Sequence, residues 1–245
     1  MERNTEYDPF AAIYNRYWGR DYRAQAFPVV NRLLLSRLPG GSEVLDVCCG
    51  TGQFTAAVKD HGFSMAGVDA SSEMIRFARE NAPDVAFTVA DAREFSLSKK
   101  FDAAYSVFES LNHVPDLAGL KRVFSRIREH LRPNAPFLFD LVGEDGFRDY
   151  WNETNAIVDT DQVCVMRSEY DDETHTGRCR VTAFLRNDTW MRSDFVLKQT
   201  CHDLNAVHEL LSTGGFSGVS LYDAQDAGMT EDTGYDRTFF LATAR

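Results

Sequence analysis

The sequence predicts an α/β fold, a doubly wound parallel sheet with a small antiparallel β cap set into its second half. Three observations lead there. A short apolar strand runs into a glycine turn and then a helix over 43–61. Strand and helix patterns alternate from there as far as Leu141. From 155 to 200 that alternation gives way to β-branched segments with a two-residue period.

In order, residues 8–38 predict two helical segments. The second carries a buried stripe of Ala26, Phe27, Val30, Leu33, Leu34 and Leu38, so removal of 1–22 is expected to leave a folded chain. The first crowds Tyr14, Tyr17, Trp18 and Tyr22 among arginines, and reads either as packing or as a lid. Val44, Leu45 and Val47 form the first strand, Gln53 to His61 the first helix, and Gly62 its stop. Ser64 to Val68, Val85 to Ala90, Phe101 to Phe108 and Pro136 to Leu141 are the next strands. Leu117, Leu120, Phe124, Ile127 and Leu131 share one helix face, and Pro133 ends that helix. Asp171 to Gly177 predicts a hairpin turn in the cap. A last helix over Leu204 to Ser212 and strands Val219 to Tyr222 and Thr238 to Ala242 close the chain.

At 245 residues and 44% apolar content the chain can bury a single large core. No apolar run reaches the roughly 18 to 20 residues of a membrane span, and the N-terminus has no signal-peptide pattern. Five cysteines without metal-ligand spacing predict reduced thiols, a cytoplasmic setting and no metal. Net charge is −11, and almost all of it lies late: residues 141–245 hold 9 Lys/Arg against 19 Asp/Glu. That sign argues against a nucleic-acid partner.

The stretch Asp46-Val47-Cys48-Cys49-Gly50-Thr51-Gly52 carries the chemistry. Glycines allow unusual backbone angles and close approach of a ligand, while Asp46 lies within an apolar strand, where burial needs a partner. A dinucleotide site asks for a third glycine, which is missing. The stretch resembles motif I of the class I S-adenosylmethionine-dependent methyltransferases, with Cys48 in place of that motif's first glycine. Asp69, Asp91-Ala92, Phe101-Asp102 and Leu210 to Phe216 follow in the family's order. The resemblance implies a Rossmann-like seven-stranded sheet in the order 3-2-1-4-5-7-6, with strand 7 antiparallel. It also implies a cofactor half over 1–141, an antiparallel cap over 142–203, and closing elements over 204–245.

It further implies S-adenosyl-L-methionine as cofactor, S-adenosyl-L-homocysteine as product, and cofactor contacts by particular residues. Asp46, Cys48, Gly50 and Gly52 form the turn; Asp69 faces ribose; Met74, Asp91 and Ala92 face adenine; Tyr14 and Tyr22 belong to the lid; Ala70, Val107 and Phe108 complete the cofactor contacts. The cap resembles that of small-molecule methyltransferases, including aminosugar N,N-dimethyltransferases, and could pair two copies. Glu109, His113 and His202 are the candidate bases near the acceptor. The late acidic excess predicts acids at the cap's rim that steer an amine. A nicotinamide oxidoreductase and a noncatalytic binding module are the competing readings.

Overall fold

The computed structural model describes residues 5–245. One long helix, α1 (Ala11–Leu33), follows a single turn at Asp8–Phe10, so the two helices predicted over 8–38 are one. Pro28 lies inside it and removes one backbone hydrogen bond. Burial of Ala11, Ile13, Tyr22, Ala26, Val29, Val30 and Leu33 along the whole length holds the helix together across that gap.

The chain then runs β1 (Glu43–Val47), α2 (Gln53–Asp60), β2 (Ser64–Asp69), α3 (Ser72–Asn81), β3 (Ala86–Val89) and β4 (Ala103–Ser106). It continues through α4 (Leu117–His130) and β5 (Pro136–Val142). β4 is shorter than predicted. Phe101 makes only an isolated bridge to Leu131, and the backbone turns left-handed at Phe108 and Glu109. α5 (Glu144–Tyr150) was not foreseen; its 7 residues make about two acidic turns, with Gly146 inside and no apolar stripe, anchored by buried Phe147. The cap strands are β6 (Thr154–Val158), β7 (Gln162–Asp171), β8 (Thr176–Arg186) and β9 (Trp190–Thr200). α6 (Leu204–Thr213), β10 (Phe216–Asp223), the short α7 (Glu231–Gly234) and β11 (Arg237–Ala244) complete the chain.

The main sheet has the order β10-β11-β5-β4-β1-β2-β3, with β11 antiparallel to both neighbours and β1 to β5 parallel. This is the 3-2-1-4-5-7-6 order anticipated from the sequence. A separate sheet, β6-β7-β8-β9, is antiparallel throughout.

Strand alternation divides the core between two faces. Val44, Ala103, Tyr105 and Leu138 join α1, α2 and α3 on one side, while Leu45, Val47, Ala104, Phe137 and Phe139 join α4 and α6 on the other. A third cluster brings Phe10 and Ile13 against Cys164, Cys179, Val181, Phe195 and Leu197 of the cap. The core therefore starts at Phe10, not Ala26, and a chain lacking 1–22 would leave the cap's inner face bare.

Candidate functional site

β1 and β4 are neighbours from which the chain proceeds in opposite directions across the sheet, and open α/β sheets bind ligands at the carboxyl ends of such strands. The turn that leaves β1 has Cys48 at φ 61°, Gly50 at φ 53° and Gly52 at φ 70°. Cys48 carries a β-carbon in a region that costs a non-glycine residue roughly 1 to 2 kcal/mol. A β-carbon on Gly52 would lie 2.8 Å from that of Ala78 and 3.1 Å from the ring of Phe87. Gly52 is therefore needed for packing against α3 and β3, whereas Gly50 faces the ring of Tyr14 across ordinary contact distance.

Asp69 ties the turn to β2. One carboxylate oxygen accepts the Gly50 N–H and the other the Ser71 N–H, both at 2.9 Å, and its own carbonyl accepts from Ala90 at 2.8 Å. Each carboxylate oxygen keeps acceptor capacity for a ligand hydroxyl. Asp46 is 2% exposed and accepts from Thr55 Oγ1 at 2.6 Å and Tyr105 Oη at 2.9 Å. Burial pushes its pKa up to about 7, against the pull of those two hydrogen bonds. Thr55 stands where a dinucleotide fold would have its third glycine, and is committed to Asp46.

Met74 is buried at the start of α3, where Ser71 caps its N–H; Ala70 immediately precedes that cap. Asp91 lies just beyond β3 but turns to Arg93, which donates through Nε at 2.9 Å and Nη2 at 2.5 Å and holds the carboxyl below its usual range. Ala92 packs on the α4 side of the core. An adenine contact by the Asp91 carboxylate would have to be shared with Arg93.

Beyond β4, Val107 leads into Phe108 at φ 66° and Glu109 at φ 41°. Two consecutive left-handed residues are held from outside. Tyr22 stacks on Phe108 with ring centroids 4.0 Å apart and accepts its N–H at 3.0 Å. Tyr22 Oη donates to Asp140 at 3.0 Å, and Asp140 in turn accepts the Glu109 N–H at 3.3 Å. Arg237 pairs closely with both Asp140 and Glu109, one guanidinium between two carboxylates. Burial raises the Glu109 pKa and Arg237 opposes it. Asp140 and Arg237 were not anticipated; the signal was an acid inside the apolar run Phe137 to Leu141, which calls for a buried cation.

The cap supplies the opposite wall. His113 Nδ1 donates to the Lys198 carbonyl at 2.7 Å, which leaves Nε2 as the acceptor of the Tyr7 hydroxyl at 2.7 Å. Burial brings the pKa of His113 down to about 4, so the ring is neutral near pH 7. His202 does not reach this place. It is 5% exposed and its Nε2 donates to the Val114 carbonyl at 3.0 Å, bracing the loop that carries His113.

The N-terminal segment closes over the turn and joins both halves. Asn15 takes hydrogen bonds from Gln53 and Asn81, while Arg16 pairs with Asp159 and Asp161 of the cap at 2.7 Å. The cleft beneath it is lined by Tyr14, Tyr22, Asp46, Cys48, Thr51 and Phe108 among others. Tyr7 was missed because only the fold brings it to His113. Among the described residues no group of His, Cys, Asp or Glu is arranged to hold a metal ion, and no helix is long and apolar enough to cross a membrane.

Residues 44–134 match the family model of a methyltransferase domain. The chain is 32% identical over 145 residues to the dTDP-3-amino-3,4,6-trideoxy-alpha-D-glucopyranose N,N-dimethyltransferase of Streptomyces venezuelae, a match covering 56% of this chain and 61% of that one. It is 25% identical over 245 residues to the putative methyltransferase GWCH70_2453 of Geobacillus sp. (strain WCH70), covering 96% and 98% of the two chains. In fold it is similar to an S-adenosylmethionine-dependent methyltransferase from Clostridium acetobutylicum ATCC 824, with a TM-score of 0.78 at 20% identity over 98% of this chain and 99% of the other. Strand order, glycine turn and domain match converge: residues 44–134 form a methyltransferase domain, and the chain has the fold of the class I S-adenosylmethionine-dependent methyltransferases.

Proposed function

We propose that this protein transfers a methyl group from S-adenosylmethionine to the amine nitrogen of a small molecule held between the β4 loop and the cap. The observation that carries the reading is the neutral His113 on the loop after β4, whose Nε2 lone pair is taken by the Tyr7 hydroxyl: it is not free to act as a general base, which suits an acceptor that needs none, an amine. Support comes also from the Streptomyces venezuelae relative, which is named for N,N-dimethylation of an aminosugar nucleotide.

The residues present fit the cofactor. Asp69 has acceptor capacity for both ribose hydroxyls, and the bare Gly50 backbone lets a ligand come close. Asp46 offers a carboxylate to the cationic amino-acid tail. Ala70, Met74, Asp91 and Ala92 are assigned to the adenine and ribose end, and Tyr14, Tyr22, Cys48, Val107 and Phe108 to the walls of the cleft. When bound, S-adenosylmethionine supplies a methyl group on a positively charged sulfur, which an unprotonated amine attacks without help from a base.

His113 then holds the Tyr7 hydroxyl by its proton, and the phenol oxygen keeps a lone pair that can accept the amine N–H. With a pKa of about 4 the imidazole is a poor proton sink. Taking a proton from an ammonium of pKa roughly 10 would cost on the order of 8 kcal/mol. Glu109 is committed to Arg237 and shapes the loop, so the amine enters neutral and the product ammonium loses its proton to water.

Titration with S-adenosylhomocysteine tests the cofactor site. Asp69→Ala should weaken binding about ten- to a hundred-fold, the loss of a charge-assisted hydrogen bond to ribose. Unchanged affinity in a folded variant would refute the ribose assignment. A labelled-methyl screen over amines, phenols and carboxylates tests the acceptor, with amines expected to be labelled.

A further inference from the structure

Basic side chains that the site described above does not use gather on α4. Leu120, Val123, Phe124 and Ile127 are buried on one face of that helix. Arg122, Ser125 and Arg126, three and four residues apart, therefore share an outer strip. The turn after β3 packs beside it. Phe95 anchors that turn, 1% exposed, with its N–H on the Asp91 carbonyl at 2.9 Å. The stem of Arg93 runs along the first turn of α4, its Cδ 3.8 Å from where a β-carbon on Gly119 would stand. Arg93, Glu94, Arg122, Ser125 and Arg126 together line a concavity of about 360 Å³. Its lining shares no residue with the cofactor cleft or the cap.

Hydrogen-bond donors outnumber acceptors in this concavity. Each guanidinium carries five N–H donors. Arg93 spends two of them on Asp91, and Arg126 one on Glu129 at 2.6 Å. The Arg122 side chain has no hydrogen-bond or ion-pair partner among the described residues, although Glu94 stands at the same rim. In a chain of net charge −11, α4 holds Lys121, Arg122, Arg126 and Arg128 against Glu129 as its single acid.

We propose that this concavity binds the phosphate groups of a small anionic effector, and that the cofactor pocket feels its occupancy through Arg93. Guanidinium forks that reach one place from two elements suit an anion with three or more oxygens better than a carboxylate with two. Five side chains seat a small ligand, not a protein face, which needs roughly 800 Å² from each partner. Arg93 is the link, because its Nε and Nη2 hold the Asp91 carboxylate. An anion between Arg93, Arg122 and Arg126 competes for that guanidinium and frees acceptor capacity on Asp91. The coupling rests on the reading above that Asp91 meets adenine. Anion and cofactor then strengthen each other's binding by one factor.

Inorganic pyrophosphate is the probe, titrated by calorimetry into the full chain in magnesium-free buffer. The wild type should bind it saturably, and about tenfold or more tighter than acetate. Arg122→Gln should weaken pyrophosphate about ten- to a hundred-fold, the loss of charge-assisted hydrogen bonds. Arg186→Gln makes the same change in charge at an exposed position of the cap, and should stay within about twofold of the wild type. Saturating pyrophosphate should tighten S-adenosylhomocysteine about fivefold in the wild type and leave it unchanged in Arg93→Gln. No saturable binding, or equal losses in Arg122→Gln and Arg186→Gln, overturns the proposal and leaves a solvated basic face. Unchanged S-adenosylhomocysteine affinity with pyrophosphate bound overturns the link through Arg93. Failure of the methyltransferase reading would look different: S-adenosylhomocysteine would not bind under any condition, while the pyrophosphate titration, which needs no cofactor, would still decide the site.

Discussion

Asp46 is a carboxyl group in the middle of an apolar strand, and its titration links the fold to the ligand. Burial raises its pKa to about 7, well above the roughly 3.9 of an unfolded chain. The protonated form therefore favours the native state. Its contribution to stability is fully present below pH of about 4 and is lost as pH rises through about 7. A cationic amino-acid tail prefers the ionised form, so binding should lower this pKa and release protons near pH 7. Calorimetry of S-adenosylhomocysteine binding in two buffers of different ionisation enthalpy should show that release, with affinity rising from pH 6 to 8. Asp46→Asn should flatten both. A proton count of zero at pH 7 in the wild type would show that Asp46 does not meet the ligand's charge. His113 titrates the other way: its depressed pKa means stability present above about 6.5 and lost as pH falls through about 4.

At the scale of elements, the aromatic N-terminal segment packs against both the glycine turn and the cap. Tyr14 faces Gly50 and approaches Phe108, while Phe10 meets Trp18 at 5.3 Å and Phe195 of the cap at 6.0 Å. Polar ties to Asp159 and Asp161 fix the register of α1 against the cap, and exposed pairs of that kind add little energy of their own. The apolar cluster is the stronger joint. Phe10→Ala should cost about 3 to 5 kcal/mol in chemical denaturation. Amide exchange should quicken in β8 and β9 before it does in β1 or β5. A loss below about 1 kcal/mol would mean that the lid and cap do not share a core.

Over the whole molecule, the charge distribution changes the expectation of electrostatic steering. The cap strands, residues 154–200, hold eight acids against six basic residues, so the late acidic excess falls mainly before and after them. Most cap acids are also paired: Asp159 and Asp161 with Arg16, Glu169 with Arg180, Asp171 with Arg178, Asp172 with Arg148, and Asp194 with Arg192. The cap's rim is therefore not the acidic collar anticipated from the sequence. With little unpaired charge at the mouth, kcat/KM for an amine acceptor should change less than about twofold between roughly 50 and 300 mM salt. A steep fall over that range would restore the steering idea.

The sequence by itself determined the parallel sheet, the glycine turn with Asp46 and Asp69, and the antiparallel cap. Each of these is written in local periodicity and turn chemistry, where neighbours in the chain are neighbours in space. A strand as short as β4 remained legible because all four of its residues are buried. Only the tertiary structure decided which polar groups meet. Arg237 reaches Asp140 and Glu109, Tyr7 and Gln199 meet at His113, and His202 turns away to brace Val114, all across long stretches of chain. No local pattern encodes such pairs, because a lone histidine, glutamine or arginine carries no period. What selects them is the need of each buried donor, acceptor or charge for a partner, and that need is settled only when the elements pack.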